Sequence, residues 1–198
     1  MLTVSTTRSP YHHGQLREAL IEAAYELLQH QPAYQISLRS IARQAGVSHA
    51  APYNHFSDRT DLLVALATRC MASFYETQAT AVANQTDARE QLLALGEAYV
   101  SYAITHPNEF QLIFDPDISP PGSPPPGLAP VIENHTALLH GTVEAALHAG
   151  YLPHDDPDAI SAALWSQVHG LAHLILLGHL PAEAAGMILR ALVTSGNE

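Results

Sequence analysis

Residues 37–63 read S-L-R-S-I-A-R-Q-A-G-V-S-H-A-A-P-Y-N-H-F-S-D-R-T-D-L-L, and this stretch decides the fold. Leu38, Ile41, Ala42 and Ala45 recur at the spacing of one helical face, with Ser37 in position to cap the first turn. Gly46-Val47-Ser48 follows as a turn: glycine supplies the left-handed backbone of a helix ending, and Ser48 can cap the next element. Two short helices joined by a tight glycine turn make a helix-turn-helix. Pro52 stands four residues after Ser48, where its missing N–H and its ring disturb a first helical turn. The second helix is therefore expected to start as a 3₁₀ turn or to shift by a residue.

Helical spacing continues on both sides. Upstream, Leu16, Leu20, Ala23, Ala24 and Leu27 form a stripe over roughly 14–30, after Tyr11-His12-His13-Gly14 and before Pro32. Downstream, a long helix is predicted over about 60–84, with Leu63, Leu66, Ala67, Cys70 and Phe74 inward, and another over about 87–106, with Leu92, Leu95, Tyr99, Tyr102 and Ala103. A short helical piece carries Phe110 and Phe114. Seven of the fourteen prolines fall between Asp115 and Pro130, which predicts a loop. Further helices are expected over about 131–149, from the Asp156-Pro157 cap to Gly178, and from Pro181 onward. The fold is predicted to be all-α, with about nine helices.

Composition narrows the function. The chain has 198 residues, 47% apolar and 14% charged, enough for a packed core and unlike a disordered chain. One cysteine, Cys70, excludes a disulfide framework or a multi-cysteine zinc site. Residues 1–10 hold one arginine and no apolar run, and the longest apolar stretch, Leu171 to Leu177, is far below the ~20 residues of a membrane span. A cytoplasmic protein with no membrane partner is expected. The net charge of −11 is unevenly spread: residues 1–70 carry six arginines against five acids, while residues 71–198 carry two arginines against fourteen. Such asymmetry suits two surfaces with different partners. A helix-turn-helix in the less acidic third implies double-stranded DNA.

Residues 12–72 resemble the DNA-binding domain of TetR-type transcriptional regulators, in which the stretch runs A-x-x-A-G-V-S-x-x-x-x-Y-x-H-F-x-x-K-x-x-L. Ala42, Ala45, Gly46, Val47, Ser48, Tyr53, His55, Phe56, Leu62 and Leu63 occupy that pattern, and Arg59 replaces its lysine. The resemblance implies that Ser48 caps the recognition helix and that Tyr53 and His55 reach phosphates, both being able to donate to phosphate oxygens. Phe56 is expected in the small domain's core. Arg39, Arg43 and Arg59 are candidate phosphate contacts. His49, Ala50, Ala51 and Asn54 are expected nearest base edges, where Asn54 suits adenine and alanine methyls suit thymine.

Residues 73–198 would then form the helical body that, by the same resemblance, dimerises and binds an effector. W-S-Q-V-H-G-L-A at 165–172 resembles the Trp-x-x-x-His-Gly pattern of one C-terminal subclass. Tyr99, Tyr102, Phe110, Phe114, Trp165 and His169 are candidates to line an apolar effector pocket, against the plainer reading of an aromatic core. Leu171, Leu174, Ile175, Leu176 and Leu177, with Ile188, Leu189 and Leu192, exceed what one helix pair buries, so the last two helices are expected to form a homodimer interface on a palindromic operator. His169 and His173 share an i,i+4 face, with His135 and His140 elsewhere, but no H-E-x-x-H pattern occurs. No metal, cofactor or catalytic residue is assigned. A repressor released by a small molecule is the expected function; a metal or haem sensor on this scaffold, or a helical enzyme or interaction module, are the alternatives.

Overall fold

The computed structural model describes residues 13–153 and 156–194, and its regular elements among these residues are eight α-helices and three 3₁₀ turns. The α-helices are α1 (His13–Leu28), α2 (Leu38–Gln44), α3 (Arg59–Ala83), α4 (Ala88–Thr105), α5 (Pro107–Ile113), α6 (Ala129–His148), α7 (Pro157–Leu176) and α8 (Ala185–Thr194). The 3₁₀ turns are Ala33–Gln35, Ala51–Asn54 and Ala182–Ala184. The chain forms two compact units, residues 1–66 and 67–198. That division falls inside α3, a few residues before the sequence-based boundary at 72/73.

In the first unit, α1 buries Leu20, Ile21, Ala23, Ala24 and Leu28, so its buried stripe ends on Leu28 while the expected Leu27 stays half-buried. Tyr11 and His12, read as preceding this helix, lie outside the described residues. Leu38, Ile41 and Ala42 of α2 are buried, as are Phe56, Leu62 and Leu63. Backbone caps fix the short elements. The Ser37 Oγ accepts from the Ser40 N–H at 3.0 Å, and the Ser37 N–H donates to Ser40 Oγ at 2.9 Å, a reciprocal capping box. At the other end Gly46 has φ +69°, Val47 N–H donates to Ala42 at 2.9 Å and Gly46 N–H to Arg43 at 3.2 Å. That pair of bonds closes the last orphan carbonyls of α2 and requires a left-handed residue, hence glycine.

In the second unit, α4 is the central helix, with α5, α6, α7 and α8 packed around it. Asp87 caps it by accepting from the N–H groups of Arg89 and Glu90. Leu92, Leu93, Val143, Ala146 and Leu147 make one apolar cluster; Val100, Leu171, Ile175 and Leu189 make another. Between them lies an aromatic core: Phe74 meets Tyr99 at 5.0 Å, Tyr102 at 4.7 Å and Phe110 at 6.1 Å between ring centroids. Helix α6 starts earlier than expected because Pro130 fits its first turn, where a missing N–H costs nothing. Asp156 caps α7 by accepting from Asp158 N–H at 3.0 Å, followed by Pro157 at the first helical position.

Candidate functional site

The second element of the helix-turn-helix is a 3₁₀ turn, Ala51–Asn54, with the proline buried at its start. Ala50 stands at its N-cap without a side-chain bond. Ser48 therefore supplies its carbonyl, to Ala51 N–H at 3.0 Å, and the expected Oγ cap of a longer recognition helix is replaced by this backbone bond. The physical reason is Pro52: an α-helical start would need the N–H that proline lacks.

Around this turn the structure sorts the expected residues. Tyr53 is 64% exposed, and Ser48, His49, Ala50 and Asn54 are exposed with it, while Ala51 and His55 are half-buried. Arg39 and Arg43 project from α2 as exposed side chains. Phe56, 1% exposed, sits in the core, with the Arg17 guanidinium 5.2 Å from its ring centroid. Arg59 departs from expectation. Its Nε donates to the Ile36 carbonyl at 2.6 Å and its Nη2 to the Ala33 carbonyl at 2.5 Å. A half-buried guanidinium with two carbonyl acceptors ties α3 to the first 3₁₀ turn; it is a structural clamp rather than a phosphate contact. The fork geometry is what the family's lysine could not reproduce.

The body holds a second candidate site. A cleft of about 590 Å³ is walled by α6 and α7, floored by Met71, Ile113 and Phe114, and bordered by the prolyl segment from Pro116 to Pro124. Past His135, Leu139 and Trp165, which line both spaces, lies a narrow inner cavity of about 60 Å³. Leu92, Leu93, Tyr99, Leu164, Val168 and Leu189 enclose it, with Gln78 as a polar group. Volume and apolar lining together are those of a small-molecule pocket.

Three of the six expected pocket residues line these spaces: Phe114 the cleft, Tyr99 the inner cavity, and Trp165 both. Tyr102 and Phe110 do not. Both are almost fully buried core residues, and the Tyr102 hydroxyl donates to Glu109 Oε2 at 2.5 Å. His169 does not line either space, but it pairs with Tyr99, whose hydroxyl lies 2.7 Å from His169 Nδ1. Its ring contacts Phe110, Phe114, Trp165 and His173. Burial, then the neighbouring His173, lowers its pKa. The His169 and His173 rings lie 4.6 Å apart, tilted by 58°, yet no third histidine, cysteine or carboxylate joins them in a metal-binding group among the described residues. Cys70 is buried, and desolvation raises its thiol far from the thiolate form a nucleophile needs.

Sequence reading missed Gln78, Ser161 and the prolyl wall, and weighed His135 only as a possible metal ligand. His135 Nε2 bonds Gln78 Oε1, its ring stacks on Phe74 at 4.9 Å, and desolvation lowers its pKa to about 4. The signal for the prolines was present as composition, but nothing in the sequence said that a loop would become a wall.

The apolar surplus of the last two helices also divides. Leu171, Ile175 and Leu189 are core, and Ile188 packs against that cluster. Leu174 at 43%, Leu177 at 69% and Met187 at 71% exposure face outward. The side chain of Leu192 lies outside the described residues. Although no run of apolar residues approaches ~20, an 18-residue window of α7 has a mean hydropathy of 1.3, long and apolar enough to span a membrane by length and composition, with 22% of the window buried.

A helix-turn-helix unit with an exposed turn, joined in one chain to a helical unit with an apolar cleft, defines a one-component DNA-binding regulator class. The chain matches the family model for bacterial regulatory proteins of the tetR family over residues 20–66 and that for the tetracyclin repressor-like C-terminal domain over residues 92–195, and it belongs to the TetR family. It is 29% identical over 91 residues to the nucleoid occlusion factor SlmA of Marinobacter nauticus, covering 46% of this chain and 47% of that one. The chain spans about half the length of the curated relatives it matches. A solved protein of unknown function from Rhodococcus sp. RHA1 shares 32% identity, with a TM-score of 0.80 over 94% of this chain and 95% of that one. FadR of Bacillus subtilis, solved with stearoyl-CoA, has a TM-score of 0.71 at 17% identity, covering 91% and 99%; this shows the shared fold.

Proposed function

We propose that the protein is a homodimeric, sequence-specific DNA-binding regulator, a repressor whose helical body binds a small molecule that releases it from a palindromic operator. It acts in the cytoplasm and catalyses no reaction. The observation that carries this is the exposed side-chain set on the helix-turn-helix, namely Arg39, Arg43, His49, Tyr53 and Asn54, on elements held rigid by backbone caps. Cationic and hydrogen-bonding groups there suit phosphate contact, and Asn54 suits a base edge. Selection of bound duplexes from random DNA tests it: a recovered inverted repeat supports the reading, and no enrichment refutes it.

The dimer rests on α7 and α8. Leu174 on α7, Leu177 at its C-cap and Met187 on α8 are exposed apolar groups, and the hydropathy of α7 finds a protein partner more readily than a bilayer because Gln167, His173 and Asp158 are exposed along it. Leu177→Arg together with Met187→Arg is expected to yield monomer by light scattering, with helicity retained because neither side chain is in the core. A wild-type monomer at micromolar concentration would remove the interface. Release requires the ligand to favour one arrangement of the dimer over the other.

A further inference from the structure

We infer that the cleft and the inner cavity form one site for an uncharged amphiphile, its hydroxyl or carbonyl head bonded to Ser161 and its apolar tail directed past Leu139 and Trp165. This deepens the proposed ligand-binding role of the body and rests on it. The first observation is Ser161. Its residue is 3% exposed, it lines the cleft, and its Oγ has no hydrogen-bond partner among the described residues. Other hydroxyls on these helices do not behave so. Thr77, Thr105, Thr136, Thr142 and Ser166 each donate to the carbonyl four residues earlier, at 2.7–3.0 Å. A helical serine has that bond at hand. With under 1 Å² of its surface accessible, the Ser161 Oγ meets a ligand only once a turn about χ1 brings it to the cleft the residue lines, and the unmade bond leaves it free to turn.

The second observation is charge. Among the described residues neither space is lined by an arginine, and the chain has no lysine. Among the described residues the one carboxylate at the cleft is Asp158, 80% exposed and 3.4 Å from His140 Nδ1. A carboxylate or phosphate head would be desolvated here without a cation and would meet the field of Asp158. A cationic head finds its only counter-charge at the mouth, already paired and solvated. His135, at the junction of the two spaces, is held neutral by burial. A head that is neither acid nor base, with a tail that replaces water along Leu139, Leu164 and Val168, matches the lining at every point.

The test uses the full chain and its single tryptophan, Trp165, as reporter. 1-Octanol, octanoate and octylammonium, which share a tail and differ in the head, are titrated at pH 8 by Trp165 emission and calorimetry. Octanol is expected to saturate, and both ions to bind at least about tenfold more weakly, since each would bury an unpaired charge. Ser161→Ala is expected to raise the unfolding temperature of the free protein, because it deletes an unsatisfied buried hydroxyl, and to weaken octanol severalfold. Octanoate or octylammonium binding as tightly as octanol, no saturable octanol binding, or unchanged octanol affinity in Ser161→Ala would each overturn the inference. Selection of DNA sequences is independent of these titrations. A palindrome recovered alongside a failed octanol titration discards this ligand class and leaves the regulator standing.

Discussion

The two units reach order by different means. In the first, short elements of seven and four residues are pinned by the backbone: the Ser37–Ser40 box, the left-handed Gly46, the Arg59 clamp and the Asp58 carboxylate that accepts from Asp61 N–H at 2.9 Å. In the second, helices of up to twenty residues are held by side chains, through edge-on and tilted aromatic contacts around Phe74 and two aliphatic clusters. Local caps position a few exposed side chains closely. Side-chain packing between long helices leaves gaps, and in this chain the cleft and the inner cavity are among them. The first construction suits reading a fixed lattice of phosphates and bases; the second suits admitting a molecule.

The comparison predicts independent responses. Phe56→Ala is expected to cost about 3–5 kcal/mol, the range for truncating a buried aromatic, and to abolish DNA retention. The urea transition reported by Trp165 should stay near its wild-type midpoint. A Trp165 transition that shifts by the full amount would show one cooperative block and break the contrast.

His135 gives the next largest effect, on the side of the body. Its pKa is near 4 when folded against about 6.5 in an open chain, so between those values the unfolded state binds more protons. Stability contributed at this site is complete above pH 6.5, falls as the pH drops below it, and reaches its full loss of about 3 kcal/mol near pH 4. The difference between wild type and His135→Asn in urea titrations across pH 7.5 to 4 isolates it. A difference that does not depend on pH would show that the imidazole is solvated.

Smaller effects sharpen the first unit. Asn54→Ala is expected to relax preference at one base pair per half-site by about 1–3 kcal/mol, whereas Tyr53→Phe should weaken all duplexes alike. Equal losses on matched and mismatched duplexes for Asn54→Ala would move it from base contact to phosphate contact. Smallest of all, Arg59→Lys is expected to lower thermal stability by about 1 kcal/mol, through one carbonyl bond lost, and to leave the salt dependence of DNA binding unchanged. A reduced salt slope in Arg59→Lys would mean that the guanidinium reaches phosphate after all.

Legibility followed the range of the forces involved. The α2 cap at Ser37, the glycine ending at Gly46 and the 3₁₀ character imposed by Pro52 all act within four or five residues, so their outcome could be read from neighbours in the chain. The inward faces of α3 and α4, from Leu63 to Phe74 and from Leu92 to Ala103, followed from period alone because each helix buries one side. The sequence could not say which aromatic residues are core and which line a cavity. Tyr99 and Tyr102 share one apolar face, yet the inner cavity touches Tyr99 while Glu109 and the Cys70 carbonyl enclose the Tyr102 hydroxyl.

By itself, then, the sequence determined the all-helical architecture, the helix-turn-helix with its caps, and the family to which the chain belongs. Tertiary structure alone decided that Arg59 is a clamp, that Ile188 faces inward while Met187 faces out, that prolines 116–124 become a wall, and that Ser161 is left without a partner among the described residues. The reason is physical. Helix formation and capping are settled by bonds between residues four apart, whereas a cavity or an unsatisfied hydroxyl is defined by what distant segments fail to fill, and no local pattern encodes an absence.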